Sequence, residues 1–268
     1  MRRETEFLGR VAVAALSWAV VAFLVIPLAV VVGVSVTETD FLKFPPQGFS
    51  LKWYVAMLHD RSYLDAFWLS AELALVSTLA ALLLGVPAAL VIARKRFPGS
   101  QAVSALFLSP LVLPNIVIGV AVLQYASVMG FARGFVALLV GHIVIVVPYV
   151  MRTSLASLAG LEASYEEAAQ DLGATPMTTF FLVTLPQIKP GVIAGSLFAF
   201  IISWINVEVS IFNATPLQVT LPVKIFNYVQ FTVDPLIAAV SAVTIYVAIL
   251  AVVLLDAVIG VEAAATGT

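Results

Sequence analysis

A chain of 268 residues that is 62% hydrophobic and only 10% charged, with a mean hydropathy of +1.10, cannot be a soluble globular domain, in which about 25% of residues carry charge. A formal net charge of −2 without any basic tract leaves no footprint for nucleic acid, and the absence of cysteine excludes disulfides, thiol catalysis and cysteine metal sites. The apolar runs exceed about 20 residues, enough to cross a bilayer as helices, whereas a membrane barrel would show short alternating segments.

The pattern predicts an all-α, polytopic membrane protein with six transmembrane helices. Residues 1–10 are polar and basic. The apolar run 11–36 is too long for a signal peptide and lacks a small-x-small exit before Thr37, so it reads as an uncleaved first span. Residues 37–65 form a polar segment with Pro45-Pro46 and a Trp53-Tyr54 pair suited to the membrane interface. A second span at 66–93 ends at the basic turn Arg94-Lys95-Arg96. The third, 102–126, carries Pro110 and Pro114, each removing a backbone hydrogen bond, which a bilayer tolerates only where protein or a water-lined cavity satisfies the freed group. A fourth span covers 135–151 and a fifth 191–212. Leu221-Pro222 opens a short helix through Tyr228 in the polar segment 213–235, and the sixth span runs over 236–259. No linker is long enough to separate domains, so residues 1–268 read as one transmembrane domain.

Between the fourth and fifth spans, residues 160–189 form the longest charge-bearing interval in the oily chain. Leu161, Tyr165, Ala168, Ala169 and Leu172 recur at spacings of three and four, one apolar stripe on a short helix, with Glu162, Glu166 and Asp171 on its flanks and back. Gly173 is the expected stop, because glycine takes a left-handed backbone angle without a Cβ clash. Thr175 and Pro176 suit the cap and first position of a second helix, which Met177–Val183 continue until Pro186 and Pro190 break it. The prediction is a compact two-helix elbow.

Charges inside spans cost at least about 2.5 kcal/mol at the bilayer centre and therefore need a reason. Glu208 lies in the outer half of the fifth span. On a continuous helix it shares a stripe with Trp204, next to a stripe of Ser203, Asn206 and Ser210. Two polar stripes of this kind are either the wall of a substrate pathway or interhelical hydrogen bonds. Asn115, directly after Pro114, is the matching candidate on the third span, the alternative being an amide that satisfies a carbonyl freed by proline. Glu72 reads as snorkelling to the interface, Asp256 as interfacial, and His142 as a packing and hydrogen-bonding residue. His59 and His142 are too distant in sequence to form a local metal motif, and no metal site is expected.

With the N-terminus inside, Arg2, Arg3, Arg10, Arg94, Lys95, Arg96, Arg152 and Lys189 fall on the cytoplasmic side, against Lys43, Lys52, Arg61, Arg133 and Lys224 outside. Eight against five places both termini and the elbow in the cytoplasm. No glycine-rich loop ending in Gly-Lys-Ser/Thr occurs, so any ATP is bound by another chain.

Glu167-Ala168-Ala169, a glycine four residues later at Gly173, and then Val183-x-Leu185-Pro186 resemble the EAA loop of binding-protein-dependent ABC importer permeases. The flanks Tyr165-Glu166 and Gly173-Ala174-Thr175-Pro176 fit as well, and Val183 stands where the family usually has isoleucine. The resemblance covers essentially the whole chain and is greatest to the spermidine/putrescine branch. It implies a type I ABC importer permease fold in a bacterial inner membrane. Its partners would be an ABC ATPase dimer, a second homologous permease and a periplasmic solute-binding protein. This chain would bind no cofactor, ATP and Mg belonging to the partner ATPase. Coupling to that ATPase would fall to Glu166, Glu167, Ala168, Ala169, Asp171, Leu172, Gly173, Ala174, Leu185 and Pro186, with the acidic flank Glu162, Glu166, Glu167 and Asp171 meeting basic residues of the partner. The substrate pathway would use Asn115, Ser203, Trp204, Asn206, Glu208 and Ser210.

The polyamine branch places acidic side chains in its central pathway. Here the best-matching positions are Asn115 and Ile205-Asn206, with Glu208 displaced along the chain. A small polar organic solute is therefore expected, a polyamine or else an opine, phosphonate, amino-acid-like or neutral compound. A passive channel would leave the elbow without a partner, and an intramembrane enzyme would need a catalytic constellation the sequence lacks.

Overall fold

A computed structural model describes residues 2–95, 97–130 and 133–266, with side chains for 10–95, 97–130, 133–255 and 257. Arg96 lies outside the described residues, as do the side chains of Arg2, Arg3 and Asp256. The chain is helical throughout. In order it forms α1 (Arg2–Ser35), α2 (Lys52–His59), α3 (Arg61–Arg94), α4 (Ser100–Leu108), α5 (Asn115–Val128), α6 (Phe135–Ala159), α7 (Ser164–Asp171), α8 (Pro176–Thr179), α9 (Leu185–Ile205), α10 (Ser210–Asn213), α11 (Leu221–Val229) and α12 (Pro235–Thr266). Among the described residues the only β-feature is an isolated bridge between Thr215 and Gln218. Five helical stretches are long and apolar enough to span a bilayer: Arg10–Ser35, Arg61–Arg94, Phe135–Ala159, Pro176–Ile205 and Pro235–Leu255. The sixth is a broken one, Ser100–Leu111 followed by Asn115–Val128.

The chain divides into two compact units, one of Met1–Arg61 with Asn227–Val247 and one of Ser62–Phe226 with Ala248–Thr268. In the first, the segment after α1 folds back on itself. Glu38 and Ser50 donate backbone hydrogen bonds to Gln47 and Val36, and the buried hydroxyl of Ser35 pairs with the Tyr54 phenol at 2.7 Å. Tyr54 of the predicted interface pair is thus held by α1, while Lys52 lies over the Trp53 ring.

The second unit holds the apolar core, built where α3, α5, α6 and α9 meet around Ala81, Ala89, Ile118, Val146, Val150, Met151, Ile188 and Ala199. Lipid is as apolar as a leucine side chain, so helix association there relies on close packing through small residues. Gly191 and Gly195, one turn apart on α9, supply it. A Cβ on Gly191 would run into the Ser157 side chain and lie 2.8 Å from the Thr153 carbonyl oxygen; one on Gly195 would meet the Thr153 hydroxyl and lie 2.9 Å from Val150 Cα. Gly85 of α3 approaches the opposite flank of α6, where a Cβ would stand 3.1 Å from the Met151 nitrogen.

Four predicted boundaries move, each for a local reason. The fourth span ends at Ala159, because the Thr153 hydroxyl donates back to the Tyr149 and Val150 carbonyls and Ser154 is buried, so neither stops the helix. The third span is two helices bent by 104°, with Pro114 at φ −59° and ψ 131° capping α5. Pro186 and Pro190 do not break the elbow's second helix. A five-residue π-helical stretch, Phe180–Thr184, adjusts the backbone ahead of Pro186, and the helix continues to Ile205 with Pro190 inside it. The fifth span, expected to reach 212, stops at Ile205. Asn206 is extended (φ −72°, ψ 123°), and its Oδ1 accepts the Val209 N–H at 2.9 Å, capping the new helical turn of α10.

Replacing Gly195 by leucine forces a branched side chain into the α6 backbone. Overpacking of this kind costs about 1–3 kcal/mol. The expected outcome is a clear fall in the thermal midpoint of the detergent-solubilised protein, with Gly195→Ala intermediate; an unchanged midpoint for Gly195→Leu would refute this packing.

Candidate functional site

The elbow begins where α6 stops at Gly160. Leu161 is buried, but α7 starts three residues later and turns a different face inward from the one its apolar stripe suggested. Ala169 is half-buried, whereas Tyr165, Ala168 and Leu172 point away from the rest of the chain, Leu172 being 90% exposed. The inward residue is Glu166. Its carboxylate lies 2.9 Å from Arg94 Nε at the end of α3 and accepts a hydrogen bond from the Thr184 hydroxyl at 2.8 Å. Arg94 also donates to the Leu161 carbonyl at 3.0 Å. With side chains only 13% and 19% exposed, Glu166 and Arg94 form a largely desolvated ion pair that fastens α7 to α3 and to the turn entering α9. Of the four acids expected to form an outward flank, Glu166 is therefore engaged within the chain, while Glu162, Glu167 and Asp171 are exposed.

The turn between α7 and α8 follows its sequence signals. Gly173 sits at φ +93°, its N–H bonds the Gln170 carbonyl at 2.9 Å, and the Ala174 N–H reaches back to Ala169 at 3.0 Å, the paired closure of a Schellman motif. Thr175 Oγ1 accepts the Thr178 N–H at 3.2 Å with Pro176 at the first helical position. Leu185 is half-buried and Pro186 exposed. Arg94 and Thr184 were absent from the predicted site. The available signal was the basic cluster at 94–96, which marks the end of the second span and the cytoplasmic side but names no partner for Arg94.

The five pathway candidates of the fifth span do not share two stripes of one helix, because the break at Asn206 takes Glu208 and Ser210 out of the α9 register. Trp204 is buried, stacked on Phe200 and edge-on to Phe67. Ser203 and Ser210 are buried and bond the two ring nitrogens of His142, at 2.7 Å and 2.9 Å. Asn206 is buried too, its Nδ2 donating to Glu208 Oε2 at 3.3 Å. Glu208 alone of the six is exposed.

Asn115 is half-buried at the first turn of α5, and Gly119, one turn on along the same face, is where the Glu208 backbone rests: a Cβ there would stand 2.8 Å from the Glu208 carbonyl oxygen. The fold thus joins Asn206 to Glu208, seats the Glu208 backbone one helical turn along α5 from Asn115, and withdraws Ser203, Trp204 and Ser210 into the helix packing. Among the described residues no group of three His, Cys, Asp or Glu side chains could hold a metal ion.

Residues 81–260 match the family described as "binding-protein-dependent transport system inner membrane component". The chain is 35% identical over 201 residues to the putrescine transport system permease protein PotI of Escherichia coli K12, covering 72% of each. It is 33% identical over 240 residues to the spermidine/putrescine transport system permease protein PotC of Haemophilus influenzae, covering 90% of this chain and 93% of that one. Its fold is shared with a chain of a bacterial ABC transporter involved in the import of the acidic polysaccharide alginate, at TM-score 0.75 and 14% identity over 94% of this chain and 96% of that one. A chain of the MetNI methionine ABC transporter in an inward-facing conformation matches at TM-score 0.62 and 18% identity over 74% and 94%. Five to six apolar spans, the Gly173 elbow and these likenesses converge: the chain belongs to the binding-protein-dependent transport system inner membrane components and is an integral-membrane permease subunit of an ABC importer.

Proposed function

We propose that this permease moves a small cationic amine of the polyamine class inward by alternating access, driven by a separate ABC ATPase dimer that docks on the elbow. The observation that carries the coupling role is the outward turn of α7. Tyr165, Ala168 and Leu172 form an apolar stripe beside the exposed acids Glu167 and Asp171, and none of the described residues covers it. On an element rich in charge and set off from the spans, such a stripe suits a protein groove better than lipid. ATP and Mg sit on the partner, and the acids Glu162, Glu167 and Asp171 meet its basic residues. Glu166 has another task. Through Arg94 and Thr184 it makes the elbow, the end of α3 and the start of α9 move as one piece.

A second, related permease completes the translocation path, and a periplasmic solute-binding protein delivers the solute. The delivery step fits the bacterial alginate ABC transporter, a chain of which shares this fold and which is solved in complex with its alginate pentasaccharide-bound periplasmic protein. The termini and elbow lie in the cytoplasm, as the basic-residue bias indicates. The amine meets Glu208, whose exposed carboxylate supplies counter-charge, with Asn115 and Asn206 as neutral hydrogen-bonding partners. The names of the relatives and this carboxylate support the substrate class together.

Uptake of labelled putrescine in cells carrying or lacking this chain tests the substrate: loss of saturable uptake on deletion is expected, and retention with loss of a neutral solute instead would overturn the polyamine assignment. Gly173→Val places a β-branched residue in a left-handed conformation, a cost of about 1–2 kcal/mol, in a turn with no neighbour within 4 Å. Insertion and assembly should survive while uptake and receptor-stimulated ATP hydrolysis fall about tenfold or more. Arg94→Gln or Glu166→Gln leaves one charge unpaired in a largely desolvated site. Each single variant should therefore hydrolyse ATP with little uptake, and the double variant, with no charge left, should recover part of it. Equal losses in all three would remove the ion pair from the mechanism.

A further inference from the structure

The interruption between α9 and α10 is spanned by a side chain that the pathway does not touch. His142, fully buried on α6, bonds Ser203 near the end of α9 through Nδ1 and Ser210 at the start of α10 through Nε2. One hydroxyl therefore lies on each side of the turn 206–209. The partners assign the protons. Ser210 gives its single proton to the Asn206 carbonyl at 3.0 Å, so its oxygen accepts and Nε2 carries the hydrogen. Nδ1 then carries none and accepts the Ser203 proton, while the Ser77 hydroxyl of α3, shared with the Ala74 carbonyl at 3.2 Å, donates to the Ser203 oxygen at 3.0 Å. A neutral imidazole in this tautomer completes one directed chain of hydrogen bonds from Ser77 through Ser203, His142 and Ser210 to the Asn206 carbonyl.

We infer that His142 is a positioning residue: a strut across the broken helix that fixes the turn 206–209 and with it the aim of the Glu208 carboxylate. The aim has meaning for transport only on the reading above, in which Glu208 lines the solute path. The geometry favours a strut over mere filling of the core. An apolar side chain at 142 would fill similar space but leave the Ser203 and Ser210 hydroxyls buried without their ring partner, and the two halves of the break would lose their common tie to α6. Inside the turn, the Asn206 cap on Val209 and the close seat of Glu208 on Gly119 hold its shape. Among the hydrogen bonds described here, only the imidazole ties the end of α9 to the start of α10 through a third helix.

The chain has no cysteine, so Glu208→Cys introduces a single reporter thiol. In the assembled transporter in proteoliposomes, its modification by a trimethylammonium methanethiosulfonate is followed as a mass shift of this chain. Adding His142→Leu should slow modification about fivefold or more, Ser210→Ala should do the same with the ring still present, and His142→Gln, whose amide nitrogen reaches Ser210 as Nε2 does, should restore the rate to within about twofold. Equal rates in all of these chains overturn the strut. In uptake assays with the native carboxylate, Glu208→Gln and His142→Leu should each raise KM for putrescine about tenfold, with the double variant no worse than either. Additive losses in the double variant overturn the inference, since His142 would then act elsewhere than through Glu208. Slowed modification together with an unchanged KM in Glu208→Gln overturns the pathway reading itself, and the two failures are told apart by which assay moves.

Discussion

Hydrocarbon offers no water to a backbone group that leaves its helix, so every interruption inside a span must be answered by the protein itself. Among the described residues the helical spans are interrupted at three places, and each interruption has a different answer. Ahead of Pro186 the backbone widens into a π-helical stretch and goes on. At Pro114 it stops, bends through 104° and restarts with proline in the capping position. At Asn206 it opens a turn whose freed groups are taken up by side chains: Asn206 itself caps Val209, Ser210 answers the Asn206 carbonyl, and Asn213 donates to Gly119 and Val209. The polar residues of the fifth span are first of all the substitute for lost helical hydrogen bonds. What they leave over is an exposed carboxylate at Glu208, the group the proposed function assigns to the solute.

The elbow follows a complementary rule. Buried ion pairs contribute little net stability but resist being half-broken, because a lone charge in a desolvated site is costly. Glu166 and Arg94 use that property as a fastener. The pair and the Thr184 hydroxyl hold α7 against α3 and the turn into α9, which frees the opposite face of α7 to be apolar and uncovered. An amphipathic helix normally buries its apolar side in its own protein. Here one acid, Glu166, faces inward and the apolar stripe faces outward beside the exposed Glu167 and Asp171, an inversion that makes sense if the second protein is part of the design.

That inversion is also why the elbow was only half legible. Its caps are local chemistry, and Gly173, Thr175 and Pro176 fall where their backbone preferences put them. Which side of α7 faces home depends on Arg94, some seventy residues earlier, and periodicity within a short helix carries no information about so distant a partner. The end of the fifth span was missed for a related reason: Asn206 is neutral toward a helix until its side chain finds the Val209 N–H, a competition of hydrogen bonds rather than a pattern. The Gly191–Gly195 spacing, by contrast, stands openly in the sequence as a small-residue contact motif, and its role needed only the identity of α6 as its neighbour. Trp204, read as facing a pathway, went instead into aromatic packing with Phe67 and Phe200, which sequence spacing cannot distinguish from a cavity wall.

These features meet on α9. Its 21 residues make a rod of about 30 Å, held at one end by the Thr184–Glu166–Arg94 fastening and at the other by the Ser203–His142–Ser210 chain. Between them, Gly191 and Gly195 lie so close to α6 that the two helices cannot slide without steric collision, so they must tilt together. The backbone leaves regular α-helix only at the rod's ends, in the π-helical stretch and in the turn 206–209. On the proposed reading, a push delivered to the elbow by a docked ATPase would not dissipate within the helix pair but would be carried to the turn that bears Glu208. Held by His142 and seated on Gly119, that turn would travel with the rod, so two tilts of the helix pair differing by a few kcal/mol would present the carboxylate to one side of the membrane and then withdraw it.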